Sequence, residues 1–241
     1  MAGILRAQAA FSAWQEAVAA ATGGKVFTTH GCTWAWQPVH ARLHLLFPPA
    51  PGSAGLRPGL AEGTRLGALE VSVWLNAAAD ASALSQLGFT DAPPVLWHAG
   101  RPHADGGSFR GGVLLGGELP EAKGAEAEGM HVVGSTPAGT VQHAAARTVD
   151  GELVGRGFGM RHRNGDVSLH GLAVGAEHRR RGAGRALAAA LAAALLVADD
   201  AEDRSSAVLA GTGPAGSEFL RACGLQLVGR GRHLRLRNPT P

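Results

Sequence analysis

Leu169-His170-Gly171-Leu172-Ala173-Val174, then after four residues Arg179-Arg180-Arg181-Gly182-Ala183-Gly184-Arg185, then an unbroken Ala/Leu run to Val197: this stretch decides the fold. It reads as a strand that ends, a glycine-containing turn, and a helix that begins. The first amides of a helix have no partners within it and carry the positive end of its dipole, so such a junction is a site for an anion. Gly182 and Gly184 let backbone come close to a phosphate with no Cβ in the way. Arg179, Arg180, Arg181 and Arg185 can add charge-assisted hydrogen bonds. The implied ligand is a phosphate or pyrophosphate. No Gly-Lys-Ser/Thr follows, and a third dinucleotide-fingerprint glycine is missing, which excludes the two commonest phosphate motifs.

Working outward, Asp150-Gly151 and Asn164-Gly165 signal hairpin turns, expected as type I′ with positive φ at both central residues. They separate three strands, about Thr140–Val149, Glu152–Arg163 and Asp166–Val174, that read as an antiparallel meander. The following helix, Arg185–Ala198, spaces Leu187, Leu191 and Leu195 four apart on one face. Asp199-Asp200 and Glu202-Asp203 interrupt it. A short strand, Ser206–Ala210, comes next, then a helix, Ala215–Cys223, closed by Gly224, and strands Leu225–Val228 and His233–Arg237.

At these residues the sequence resembles the GNAT acyltransferases, whose signature is Gln/Arg-x-x-Gly-x-Gly/Ala at a helix start after a Leu-x-Val strand end. Arg179, Gly182 and Gly184 match the first, and Leu172-Ala173-Val174 the second. The resemblance covers about 107–241. It implies acetyl-coenzyme A as co-substrate, with the backbone of Leu172, Ala173 and Val174 pairing with the pantetheine amides. The loop Arg180–Arg185, including Ala183, would hold the pyrophosphate. His170 sits where arylalkylamine-type members carry a base that deprotonates the amine, with an apparent pKa expected near 6–8. The family's thiolate-protonating Tyr would fall at Leu220, and the chain contains no Tyr. Ser217, one turn earlier, could instead position a water; Cys223 is a weaker donor. The expected activity is N-acetyl transfer to a small-molecule or peptide amine by direct attack, in a monomer or homodimer. The alternative is a protein that binds acetyl-coenzyme A without turning it over.

The N-terminal half opens with an amphipathic helix, Ile4–Ala21, presenting Leu5, Phe11, Trp14 and Val18. Strands are expected at Lys25–Thr29, Thr33–His40, Arg42–Phe47 and Glu70–Leu75, a Pro/Gly-rich loop over Pro48–Glu62, and a helix over Ala79–Leu87. Trp34, Trp36, Trp74 and Trp97 read as core. Without gaps, Glu70–Phe89 aligns with Ser206–Leu225, strand for strand and helix for helix, with Gly88 against Gly224. We read this as a duplication: α/β in class, a mixed and mostly antiparallel GNAT-type sheet flanked by helices, two units in tandem. The expected domains are 1–106, degenerate, and 107–241, the working acetyltransferase, with a boundary near 105–115 and a charged helix or linker at Glu121–Glu128. The family's spacing puts the first half's phosphate loop at Leu46-Phe47-Pro48-Pro49, where proline lacks the needed amide hydrogen. One coenzyme per chain follows.

Composition agrees. In 241 residues, 45% are hydrophobic and 17% charged, enough for real cores. Residues 1–120 carry seven basic and seven acidic side chains and 121–241 carry 15 and 12, so the net charge of +3 lies in the second half. That favours an anionic ligand there. Stacking aromatics lie mostly in the neutral half, which argues against a nucleic-acid partner. Two distant cysteines, Cys32 and Cys223, support neither a disulfide framework nor a metal site. The longest apolar run is too short to span a bilayer, and the N-terminal helix is broken by polar residues, so no membrane partner and a cytoplasmic location are expected.

Overall fold

A computed structural model of the chain describes residues 2–103, 109–116, 135–136, 139–196 and 206–239. The segment Glu121–Glu128, the acidic interruption at 199–203 and the boundary stretch 104–108 lie outside the described residues. The elements are α1 (Ala2–Ala21), β1 (Lys25–Thr29), β2 (Cys32–Gln37), β3 (Arg42–Leu46), α2 (Ser53–Arg65), β4 (Glu70–Asn76), α3 (Ser82–Gln86), β5 (Thr90–Gly100), β6 (Gly112–Leu115), β7 (Ser135–Thr136), β8 (Gly139–Arg147), β9 (Leu153–His162), β10 (Val167–Val174), α4 (Ala183–Leu195), β11 (Val208–Thr212), α5 (Pro214–Ala222) and β12 (Leu225–Arg237).

The chain forms two compact units whose segments interleave. The first draws on the chain up to Phe11, on Leu96–Gly100 and β6, and on the described residues from Ser135 to Gly229. The second draws on Ser12–Val95 and on the chain from Arg230. α1, β5 and β12 each begin in one unit and end in the other.

In the first unit the strand order is β5-β11-β10-β9-β8-β6, with β7 on β8. All registered pairs are antiparallel except β10 with β11. That parallel pair needs a crossover, which α4 supplies, burying Leu187, Ala188, Leu191, Ala192 and Leu195 on Val154, Val167, Leu169, Val208 and Ala210. At about 25 cal/mol per Å² of apolar surface, such a helix face is worth several kcal/mol. Both hairpins of the meander depart from the type I′ expectation. Neither Asp150 nor Asn164 has positive φ, whereas Gly151 and Gly165 have +87° and +82°. Gly151 N donates to Thr148 O and Thr148 N to Glu152 O; Gly165 N and His162 N repeat the pattern with His162 O and Asp166 O. These are three-residue loops ending in a left-handed glycine.

The second unit pairs β1-β2-β3-β4, with the end of β12 on β4. Its parallel pair is β3 with β4, joined across α2. Thus β3-α2-β4-α3 repeats β10-α4-β11-α5, with Gly88 and Gly224 both left-handed after the last helix, at φ +84° and +96°. The segment expected as a loop, Pro48–Glu62, instead contains most of α2 despite Pro58 inside it. Gly55, Gly59 and Gly63 line the helix's buried side, and a Cβ on Gly59 would lie 2.2 Å from the Trp34 ring. Close approach to the sheet, not propensity, explains the glycines. Other differences are local. β2 stops at Gln37, where Pro38 starts a 3₁₀ turn, and β12 is one continuous strand. Leu5 is 58% exposed, while Trp14 and Val18 are buried. Trp34, Trp36 and Trp97 are core; Trp74 is half-buried and stacks on His233. No helix among the described residues is long and apolar enough to cross a membrane, and none of their His, Cys, Asp and Glu side chains gather in groups of three or more that could hold a metal ion.

Candidate active site

The site begins where β10 and β11 part. They pair as Val167↔Val208, Ser168↔Leu209 and Leu169↔Ala210, and then separate. The cause lies on β10. Opposite β9 its register runs His170↔Phe158 and then Ala173↔Arg156, so one extra residue is accommodated at Gly171, whose φ is +56°. Such a bulge bends the strand. Beyond it Gly175 N donates to Val154 O, which makes Ala173 the next residue facing β9 and turns Val174 away from it, into the splay. Arg179 Nε reaches back 3.2 Å to the Val174 carbonyl, tying the loop to the strand end.

The sequence-predicted coenzyme residues gather at this end of β10. Arg180 and Gly182 are left-handed, at φ +61° and +87°, and bend the loop into α4. The first helical hydrogen bond there runs from Ala186 N to Gly182 O, and no side chain caps the helix, so the amides of Ala183, Gly184 and Arg185 precede the ladder. Arg179, Arg180 and Arg181 are exposed around them. Gly184 has a packing role as well: a Cβ there would lie 2.8 Å from Phe219 on α5.

His170 lies on the α1 side of the splay, half-buried, beside a small cavity also lined by Ala7, Phe11, Trp97, Ser168, Leu209 and Gly211. Burial and the neighbouring His162 push its pKa well below the usual imidazole range. Its Nε2 is 2.7 Å from Ser168 Oγ, which is also 2.7 Å from Nε2 of His162. Ser217, on α5, is held 2.9 Å from Nε2 of His98. His98 is fully buried and its Nδ1 lies 3.2 Å from the Leu96 carbonyl, which fixes the proton on Nδ1. Nε2 therefore accepts, Ser217 donates its hydroxyl proton inward, and what it can offer a ligand is a lone pair. Burial depresses the His98 pKa, consistent with a neutral ring.

A buried carboxylate braces the surroundings. Asp166, 1% exposed, accepts from the Arg6 guanidinium of α1, from Asn164 Nδ2 at 3.0 Å and from Ala207 N at 2.9 Å just ahead of β11. Two arginines of β12 are engaged away from this site. Arg232 pairs with Asp91 at 3.1 Å and Arg235 approaches Glu70 at 3.9 Å, both in the second unit.

In the second unit the corresponding pair, β3 and β4, separates after Leu46↔Trp74, aligned with Leu169↔Ala210. Here, however, β3 ends. Phe47, at φ +42°, leads into Pro48-Pro49-Ala50-Pro51, so the arm that Leu172–Val174 supplies in the first unit is replaced by a stretch in which three of four residues lack an amide hydrogen.

Sequence reasoning missed Ser168, His162 and His98. Period-two alternation puts Ser168 on the same face as His170, a signal that was available. His98 met Ser217 only through folding.

Comparison with known proteins agrees with this geometry. The family described as "Acetyltransferase (GNAT) family" matches residues 127–208. No curated protein matches the chain. Among solved structures, a conserved protein of unknown function from Staphylococcus epidermidis is similar at 14% identity and TM-score 0.59, covering 90% of this chain and 95% of that one. A tandem GNAT protein from the clavulanic acid biosynthesis pathway is similar at 12% identity and TM-score 0.58, covering 87% and 79%. A GCN5-related N-acetyltransferase from Kribbella flavida is similar at 15% identity and TM-score 0.56, covering 95% of each chain. The family model thus covers about a third of the chain, and the duplicated strand-helix-strand-helix units share the fold of these structures, a tandem GNAT protein among them.

Proposed function

We propose that the first unit is an acetyl-coenzyme A-dependent N-acetyltransferase, carried mainly by 107–241 and completed by 2–11 and 96–100. The observation that carries this is the splay itself: the bulge at Gly171 turns Val174 into an opening that leads directly to the amide-rich loop. Leu172, Ala173 and Val174 would hold the pantetheine by main-chain pairing. Arg180, Arg181, Gly182, Ala183, Gly184 and Arg185 would hold the pyrophosphate, with Arg179 bracing the loop. The residues fit: the amides of Ala183, Gly184 and Arg185 precede the helical ladder with no side-chain cap, and the flanking charge is positive. The bound thioester supplies an activated acetyl group. Val174 N–H would polarise its carbonyl, and His170 would take the amine's proton. Ser217 would accept a hydrogen bond from a water that returns a proton to the sulfur. The acceptor is a small-molecule or peptide amine.

One observation favours a second reading, coenzyme binding without turnover. Leu220 is buried where the family's acid would stand, and no Tyr exists to replace it. Acetyl-coenzyme A consumption with a panel of amines separates the two. The binding site is tested by calorimetry on Gly182→Pro, which removes an amide and forces φ from +87° towards the proline value. Affinity should fall at least tenfold, about 1.4 kcal/mol. Unchanged affinity in a folded variant would put the coenzyme elsewhere.

A further inference from the structure

The serine between two histidines has a consequence for where the amine's proton goes. Ser168 Oγ is 2.7 Å from Nε2 of His170 and 2.7 Å from Nε2 of His162. A hydroxyl has a single proton, so it donates to one ring and accepts N–H from the other. The two arrangements interconvert when a proton is gained at Nδ1 of one ring, the two protons between the groups shift, and one is lost from Nδ1 of the other ring, without any heavy-atom movement. One end, His170, lines the small cavity it shares with Ala7, Phe11 and Trp97. The other, His162, is the last residue of β9, at the turn through Arg163 and Asn164, both exposed.

We propose that His170, Ser168 and His162 form a proton relay that carries the acceptor amine's proton from the splay to the surface turn at 163–165. The relay rests on the acetyltransferase reading and adds two residues to it. Ser168 and His162 act through His170 and so are positioning residues rather than catalytic ones.

The protons balance as follows. His170 starts with its proton on Nε2, donated to Ser168; the Ser168 hydroxyl is donated to Nε2 of His162, whose own proton is on Nδ1. The ammonium N–H breaks and a new N–H forms at His170 Nδ1. The Nε2 proton passes to Ser168 Oγ, and the Ser168 proton passes to His162 Nε2. The positive charge now lies on His162, which gives its Nδ1 proton to water. The freed amine attacks the thioester carbon, the C–S bond breaks and the electron pair leaves with sulfur; the second proton of the attacking nitrogen passes through water to that sulfur, leaving the neutral amide and thiol. The relay is reset when water returns a proton to His162 Nδ1 and the same arrangement run backwards releases the one on His170 Nδ1 to water. Nothing is oxidised or reduced.

Electrostatics explains why a relay is needed. A charged His170 would be desolvated beside a second imidazole, and both influences disfavour its cation. At His162 desolvation is opposed by the Asp166 carboxylate, which favours the cation. Other charged or titratable neighbours are Arg6 of α1, spent on Asp166; Arg161 of β9, opposite Val167; and His143 of β8, tilted against Phe158. Among the described residues, the cavity lining contains no carboxylate that could take the proton instead.

The test uses the full chain. Imidazole ¹⁵N shifts of His162 and His170 should report one shared titration in the wild type, resolved into two independent ones in Ser168→Ala. With acetyl-coenzyme A and an accepted amine, Ser168→Ala and His162→Gln should each lower kcat/KM at least tenfold at unchanged coenzyme affinity. Ser168→Thr, which keeps the hydroxyl, should recover most of the loss. The wild-type solvent-isotope inventory should curve, as for several protons in flight, and become linear in Ser168→Ala. Histidine shifts unaffected by Ser168→Ala overturn the relay whether or not the protein turns over. So does a Ser168→Ala variant with more than half the wild-type kcat/KM. Coupled histidines in a wild type that acetylates no amine overturn the acetyltransferase reading, and the relay's function with it.

Discussion

At Gly171 one backbone torsion, φ +56°, admits an extra residue into β10 and so opens the sheet between β10 and β11. Residues with a Cβ rarely adopt that torsion. Next to it, the strand that carries His170 and the glycine turn into the helix at Arg179–Arg185 were legible, because both signals are local. The hydrogen-bond partners were not. Ser168 meets His162 across a hairpin, and Ser217 meets His98 across 119 residues, contacts that register and packing create. The setting also revises the expected pH behaviour. An ordinary imidazole would give an acid limb near 6–8, but burial and His162 depress the His170 pKa. In the proposed role His170 is inactive when protonated, so kcat/KM should fall only as pH drops below the ordinary value of about 6.5. His170→Ala should lose on the order of 100-fold in kcat/KM and flatten that limb. A variant retaining half its rate, or a wild-type limb centred above 7, would remove His170 from the role.

Elements show where local reading fails. The stretch preceding and containing α2 has the glycine and proline content of a loop, yet Gly55, Gly59 and Gly63 recur every four residues because β2 and β3 lie directly beneath the helix. Tertiary contact overrides propensity there. β5 went unread for a similar reason, Pro93 and Pro94 lying within it. The strands β3, β4 and β12 bring together a polar cluster that pattern alone did not reveal. Trp74 stacks on His233 at 4.1 Å and donates to His44 Nδ1 at 3.2 Å. Both histidines are buried, and desolvation with nearby arginines lowers His44 to about 3 and His233 to about 4. In the unfolded chain they titrate near 6.5, so the unfolded state binds protons first as pH falls. Their contribution to stability is complete above about 6.5 and is lost towards pH 4 and 3, at about 1.4 kcal/mol per pH unit for each histidine. By pH 5 each costs about 2 kcal/mol. Melting curves at pH 7 and 5 should show Tm falling on acidification, with the fall clearly smaller in His233→Phe, because the Nε2 that is removed has no hydrogen-bond partner among the described residues. An equal fall in both proteins would contradict the assignment.

For the whole molecule, the duplication was legible from Glu70–Phe89 against Ser206–Leu225, but the interleaving was not, since no local signal says where a strand ends its journey. The first unit borrows Leu96–Gly100, which pair with all of β11, and the N-terminal turns of α1, whose Arg6 neutralises Asp166. A fragment 107–241 would lack both, leaving a bare strand edge and a buried carboxylate without its cation. It should aggregate and fail to bind coenzyme A; a monomeric fragment with full affinity would contradict the interleaved arrangement. In the proposed function one splay per chain, in the first unit, holds acetyl-coenzyme A. Hydrogen–deuterium exchange of the full chain with and without acetyl-coenzyme A tests it most directly. The account predicts protection at Leu172–Val174 and at the amides of 180–185, with none gained at Leu46–Gly52. Protection confined to the second unit, or none at the loop under saturating coenzyme, would contradict it.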